Sequence, residues 1–187
     1  MELTGKTILF LGSSVTYGWA AGGVSFVDLI QDTCHSVCIK EAVSGTTLAD
    51  VNERSYVSRL KAIDPEMHID LFVCQLSTND ATKKIELHKV EEAIRFILSY
   101  VGQAFKCPIV FYTGTKFQSK EYEQMIAILY ELKNEFDFEI LDLFNDESMS
   151  KISAEDYQKY MKDPIHPTLL GYKEWWTPKF IDFLRRI

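Results

Sequence analysis

Two serines, Ser13 and Ser14, follow the apolar run Ile8–Leu11 and a single glycine. Gly and Ser are ordinary turn residues, and Ser is a good helix N-cap, so the pair reads first as a turn. It also reads as a hydroxyl nucleophile held at the lip of a sheet. Later apolar runs empty into similar polar clusters: Ser44-Gly45-Thr46-Thr47, Ser77-Thr78-Asn79-Asp80, Thr113-Gly114-Thr115, and Asp142 with Asn145-Asp146. Near the C-terminus, "KDPIHPTLLGY" carries Asp163 and His166 three residues apart. Each cluster has a plain reading by itself: Gly45 supplies a turn, Asn79-Asp80 caps a helix, and His166 sits in a surface loop between Pro164 and Pro167. Together they offer a hydroxyl, a backbone amide beside glycine, a carboxamide, an imidazole and a carboxylate. Those are the groups that acyl transfer through a tetrahedral intermediate requires.

Such groups act only if the fold gathers them. The apolar runs Thr7–Leu11, Val37–Val43, Leu71–Leu76, Ile109–Tyr112 and Phe138–Leu143 read as strands. Between them lie segments of helical spacing. In "HKVEEAIRFILSYVGQAF", Val90, Ile94, Ile97, Leu98 and Val101 share a face, and in "EYEQMIAILYELKNEF" so do Met125, Ile128, Leu129 and Leu132. The final segment carries Trp175, Trp176, Phe180 and Leu184, with Pro178 expected to break or kink it. Five strand–helix alternations predict a three-layer α/β/α, flavodoxin-like fold: a five-stranded parallel sheet with helices on both faces. Ligands in such folds bind beyond the carboxyl ends of the strands, where all the polar clusters fall.

The 187 residues fit one domain, 1–187, without repeat, linker or low-complexity segment. A net charge of −7 argues against a nucleic-acid partner, which calls for a basic face. The basic pairs Lys83-Lys84 and Arg185-Arg186 read as solvated helix ends. No apolar run approaches the roughly 20 residues that span a bilayer, and "MELTGKTILFLG" is a poor signal peptide. Cys34, Cys38, Cys74 and Cys107 form no CxxC pair and read as reduced, partly buried thiols, which makes the cytoplasm the expected address. Cys34-His35-x-x-Cys38 lacks the second half of a metal site, and no metal or organic cofactor is implied.

Taken in order, the clusters resemble the blocks of the SGNH hydrolases, the GDSL-like esterase and lipase family named for Ser, Gly, Asn and His. The resemblance runs from Ile8 to about Tyr172. "GSSVTYG" resembles the first block, whose third residue is the family's nucleophile, here Ser14. "SGTT" resembles the second and implies Gly45 as an oxyanion donor. "STND" resembles the third and implies Asn79, while "DPIHP" resembles the last and implies Asp163 and His166. Ser13 replaces the Asp usual after the first glycine, and Ser77 stands where the third block often has Gly. The resemblance implies a serine esterase acting on a small-molecule ester. Ser14 attacks, His166 is the base, Asp163 orients it, and the amides of Ser14 and Gly45 with the Asn79 side chain form the oxyanion hole. Asp142, at the end of the fifth strand, is the other candidate carboxylate and is expected to cap a turn. Short connections leave little room for a lid, which predicts an open, shallow site for small or short-chain esters. Tyr17 and Trp19 either line it or pack the first helix against the sheet.

A reading from another class makes the chain a non-catalytic, flavodoxin-like binding module that holds phosphate on the Gly12-Ser13-Ser14 loop. It explains the serines but leaves Asn79 and the Asp163–His166 pair without a role. No G-x-S-x-G, HExxH or GxGxxG occurs, and Gly5-Lys6-Thr7 lacks the preceding glycine of a P-loop.

Overall fold

The computed structural model describes the backbone of residues 1–187 and every side chain except that of Ser150. Its sheet holds β1 (Thr7–Gly12), β2 (Val37–Ala42), β3 (Leu71–Gln75), β4 (Ile109–Tyr112) and β5 (Glu139–Leu141). All neighbours are parallel, in the order β2-β1-β3-β4-β5. The expected runs are therefore the observed strands, although β5 keeps only three residues. The Asp142 carboxylate ends it by accepting the Asn145 N–H at 3.1 Å and starting a turn.

Alternation along the strands divides the core. Leu9 and Leu11 of β1 join Phe72, Cys74, Ile109 and Phe111 on one face, and Ile8 and Phe10 join Leu71, Val73, Val110 and Tyr112 on the other. The described residues form ten α-helices along the chain: α1 (Ser14–Tyr17), α2 (Phe26–Cys34), α3 (Tyr56–Lys61), α4 (Thr78–Thr82), α5 (Leu87–Ala104), α6 (Lys120–Leu132), α7 (Glu147–Ser150), α8 (Ala154–Tyr160), α9 (Leu169–Gly171) and α10 (Thr177–Leu184). The apolar stripes of α3, α5 and α6 cover the first face. The second is covered by α2, with its Ser25–Asp28 capping box, and by α10. Helices on both faces of one sheet make the three-layer fold.

Pro178 acts differently from a simple break. Lacking an N–H, it cannot serve the carbonyl one turn back, and the preceding turn, Tyr172–Trp176, widens into a π-helix in which the Thr177 N–H reaches the Tyr172 carbonyl. The widened turn keeps Trp175, Trp176 and Phe180 buried in the second face. Among the described residues, no helix is long and apolar enough to cross a membrane.

From β1 the chain steps to β2 on one side, and from β3 it steps to β4 on the other. The switch point, where open α/β sheets bind ligands, therefore lies between the carboxyl ends of β1 and β3.

Candidate active site

At the end of β1 a Cβ on Gly12 would overlap the Thr16 hydroxyl and crowd Gln75 Oε1 at 2.9 Å, so only glycine lets the chain turn there over β3. Gln75 then holds the turn from beneath. Its Oε1 accepts the Ser13 N–H at 2.9 Å, the Ser13 hydroxyl at 3.3 Å and the Thr16 hydroxyl at 2.9 Å. Thr16 Oγ1 in turn pairs with Tyr112 Oη at 2.6 Å. Ser13 is thereby directed inward and wholly buried. Ser14 opens α1, so its N–H has no acceptor within the helix. Its Oγ stands 2.8 Å from His166 Nε2, within reach of proton transfer.

His166 is carried on a tight loop. The Met161–Pro167 bridge and the Lys162 N–H donating to the His166 carbonyl at 2.8 Å close it. Inside the loop, Asp163 Oδ1 accepts the N–H groups of Ile165 and His166, each at 2.8 Å. His166 Nδ1 lies 2.9 Å and 2.8 Å from the two carboxylate oxygens. Burial pushes the Asp163 carboxyl up, but those hydrogen bonds outweigh it and hold the group below the ordinary aspartate value. An ionised carboxylate can only accept, so the imidazole proton rests on Nδ1 and the Nε2 lone pair faces Ser14.

The second and third loops are tied to each other. Gly45 takes a positive φ of 79°, a turn conformation that glycine adopts without strain. Beside it, the Thr46 carbonyl accepts one hydrogen of Asn79 Nδ2 at 2.9 Å, leaving the second amide hydrogen for another acceptor. The cap of α4 is Ser77, whose hydroxyl accepts the Asn79 N–H at 3.2 Å, rather than Asn79-Asp80 as the sequence suggests. Asp80 is instead wholly buried and accepts the N–H groups of Leu48 and Ala49 at 2.7 Å and 2.9 Å, fastening the loop after β2 to α4. Burial raises its carboxyl despite those bonds. Lys83 Nζ adds a 2.7 Å contact to the Gly45 carbonyl.

Two other candidates separate. Trp19, 54% exposed, sits beside His166 with ring centroids 4.9 Å apart and planes tilted by 55°. Tyr17 faces Gly23 and Lys40 of β2 instead, with the Lys40 ammonium 5.9 Å from its ring centroid. Asp142 does not contact His166. Its oxygens take Thr113 Oγ1, Tyr130 Oη and both the N–H and Nδ2 of Asn145, at 2.8–3.1 Å. An open groove of about 690 Å³ borders His166 and is lined by Phe117, Ile165, Tyr157, Lys84 and Lys116.

The sequence profile of the GDSL-like lipase/acylhydrolase family matches residues 10–174. The chain belongs to that family. Similar solved structures agree in fold. A member of the lipolytic protein G-D-S-L family from Veillonella parvula shares 12% identity at a TM-score of 0.77, over 97% of this chain and 100% of that one. AlinE4, an SGNH-hydrolase family esterase, shares 20% identity at 0.63, over 98% and 97%. A family two carbohydrate esterase from Clostridium thermocellum, solved with cellohexaose, shares 14% at 0.72, over 97% of this chain and 65% of that one. No curated protein sequence matches.

This GDSL-like protein is a hydrolase of ester bonds. Two residues that position its loops escape sequence reasoning, Gln75 and Asp80. Gln75 left one trace: it is the polar residue in the otherwise apolar run "LFVCQL". A buried glutamine costs free energy unless its amide is used, so that position marks a hydrogen-bonding task.

Proposed function

We propose that this GDSL-like hydrolase is a serine esterase that cleaves small or short-chain carboxylic esters through an acyl-enzyme on Ser14. The relay from Ser14 Oγ through His166 to Asp163, with contacts of 2.8 Å on either side of the ring, carries the reading. Ser14 Oγ attacks the ester carbonyl carbon while His166 Nε2 takes its proton, and Asp163 stabilises the imidazolium. The carbonyl oxygen becomes an oxyanion. The N–H groups of Ser14 and Gly45 and the second hydrogen of Asn79 Nδ2 receive it. The bond to the alcohol oxygen then breaks, and His166 returns the proton to the departing alcohol. Water repeats the sequence on the acyl-enzyme, releasing the acid and restoring Ser14.

The groove beside His166 supports the substrate size. It is open to solvent, so an alkyl chain lying in it is only partly buried and gains less than the about 0.8 kcal/mol per methylene of full burial. Short esters lose little by this.

A fluorophosphonate probe tests the proposal, since it reacts only with an activated serine. Labelling is expected in the wild type and in Ser13→Ala, and none in Ser14→Ala. Activity surviving in Ser14→Ala but not in Ser13→Ala would move the nucleophile by one residue. Folded wild type that takes no label would favour the phosphate-binding module. With p-nitrophenyl esters from acetyl to octanoyl, kcat/KM is expected to peak at the short end.

A further inference from the structure

Arg59 of α3 sends its side chain beneath both loops at the switch point, and only 11% of it is exposed. Its three nitrogens make five hydrogen bonds. Nη2 donates to the Gly12 carbonyl at 2.8 Å and to Thr46 Oγ1 at 3.2 Å. Nη1 donates to the Glu41 carbonyl at 3.0 Å and to Glu41 Oε1 at 2.9 Å, and Nε to the Arg54 carbonyl at 3.0 Å. The guanidinium lies over the Tyr56 ring, 5.2 Å from its centroid.

The positions of these acceptors give the contacts their meaning. Gly12 ends β1 two residues before Ser14, and Thr46 directly follows Gly45. One nitrogen thus bridges the turn that presents the nucleophile and the loop that carries the second oxyanion amide. Glu41, on β2, fixes the other side of the same planar group. We propose that Arg59 is a positioning residue, setting the distance between the Ser14 turn and the Gly45 loop so that both amides meet one oxyanion; this rests on the esterase reading above. A rigid planar fork can hold these separate acceptors at once. A lysine ammonium is a single point on a flexible stem and cannot span Gly12, Glu41 and Thr46 together. Loss of the fork therefore lets the two loops drift. A shift of about 1 Å at a catalytic group costs on the order of 10²-fold in rate, comparable to losing an oxyanion donor.

The test compares wild type, Arg59→Lys and Arg59→Met on p-nitrophenyl acetate, with folding followed by circular dichroism and thermal melting. Folded variants are expected to lose about 10²-fold in kcat with KM changed less than about threefold, and to label with fluorophosphonate correspondingly slowly. Arg54→Ala, which keeps the carbonyl that Arg59 uses, should match wild type. Folded Arg59 variants with wild-type kcat, or with the loss confined to KM, overturn the proposal. If both Arg59 variants fail to fold, Glu41→Met and Thr46→Val decide it, because each removes one side-chain acceptor and leaves the guanidinium in place. A several-fold loss of kcat in each supports the positioning role, and unchanged kcat in both overturns it. Wild type that takes no label overturns the esterase reading and this inference with it, whereas labelled wild type beside fully active Arg59 variants overturns this inference alone.

Discussion

Replacing Asp163 by Asn exchanges one carboxylate oxygen for an amide nitrogen and is expected to reverse the imidazole. Both backbone N–H groups of the loop, from Ile165 and His166, converge on Oδ1 at 2.8 Å. An asparagine must place its carbonyl oxygen there, because the opposite orientation leaves two N–H groups without acceptors at about 1–3 kcal/mol each. Its Nδ2 then takes the place of Oδ2, 2.8 Å from His166 Nδ1. An amide nitrogen donates, and its hydrogens oppose a proton on Nδ1 even though Oδ1, 2.9 Å away, still offers an acceptor, so the balance shifts toward the tautomer with the ring proton on Nε2. There it points at Ser14 Oγ, 2.8 Å away, and the base can no longer take the serine proton. In the serine-protease case the same change costs about 10⁴ in kcat, equivalent to roughly 5 kcal/mol of barrier. Stability should fall by only about 1 kcal/mol, since the two backbone bonds persist in neutral form on a side chain 39% exposed. Turnover of p-nitrophenyl acetate by Asp163→Asn and Asp142→Asn, each checked by circular dichroism, measures this directly. The Asp142 variant should stay within about threefold of wild type, as its carboxylate serves Thr113, Tyr130 and Asn145. A folded Asp163→Asn within tenfold of wild type, or a collapse of activity in Asp142→Asn alone, would refute the tautomer argument.

Asn79→Ala should lower kcat by about 10²–10³ with little change in KM, because the second Nδ2 hydrogen is needed only when the oxyanion forms; a loss carried by KM would place Asn79 in substrate binding instead. Asp80→Asn puts an amide hydrogen against one of the two N–H groups that the carboxylate accepts, and urea unfolding at pH 7 should show a loss of about 1–3 kcal/mol. The pH dependence of that loss has a sign. Burial raises the Asp80 carboxyl, so as pH falls the folded wild type takes up a proton before the unfolded chain does, and it gains stability that the non-titrating variant cannot. The gap between wild type and Asp80→Asn should therefore widen from pH 7 toward pH 4, and a gap that narrows contradicts the buried-carboxylate account.

The strands were legible because a parallel sheet covered on both faces demands unbroken apolar runs, and five such runs stand in this chain with helical stripes between them. The residues gathered at the candidate site were legible for a related reason. Each lies directly after a strand or beside a proline-stiffened turn, and in this topology those positions share one edge. What the sequence hid is how the loops are held. Gln75 looks like the tail of a strand and Asp80 like a helix cap, and no motif marks Arg59 at all. Their tasks arise only when segments 32 to 62 residues apart meet: Gln75 reaches back 62 positions to Ser13, Arg59 47 to Gly12, and Asp80 32 to Leu48. Local pattern cannot encode such partners, because nothing within one turn of helix or two residues of strand depends on them. The same asymmetry separates the two serines. Adjacent and identical in type, they differ because Gln75 draws one hydroxyl inward, so that the only hydroxyl of the pair left for His166 is the one that opens α1.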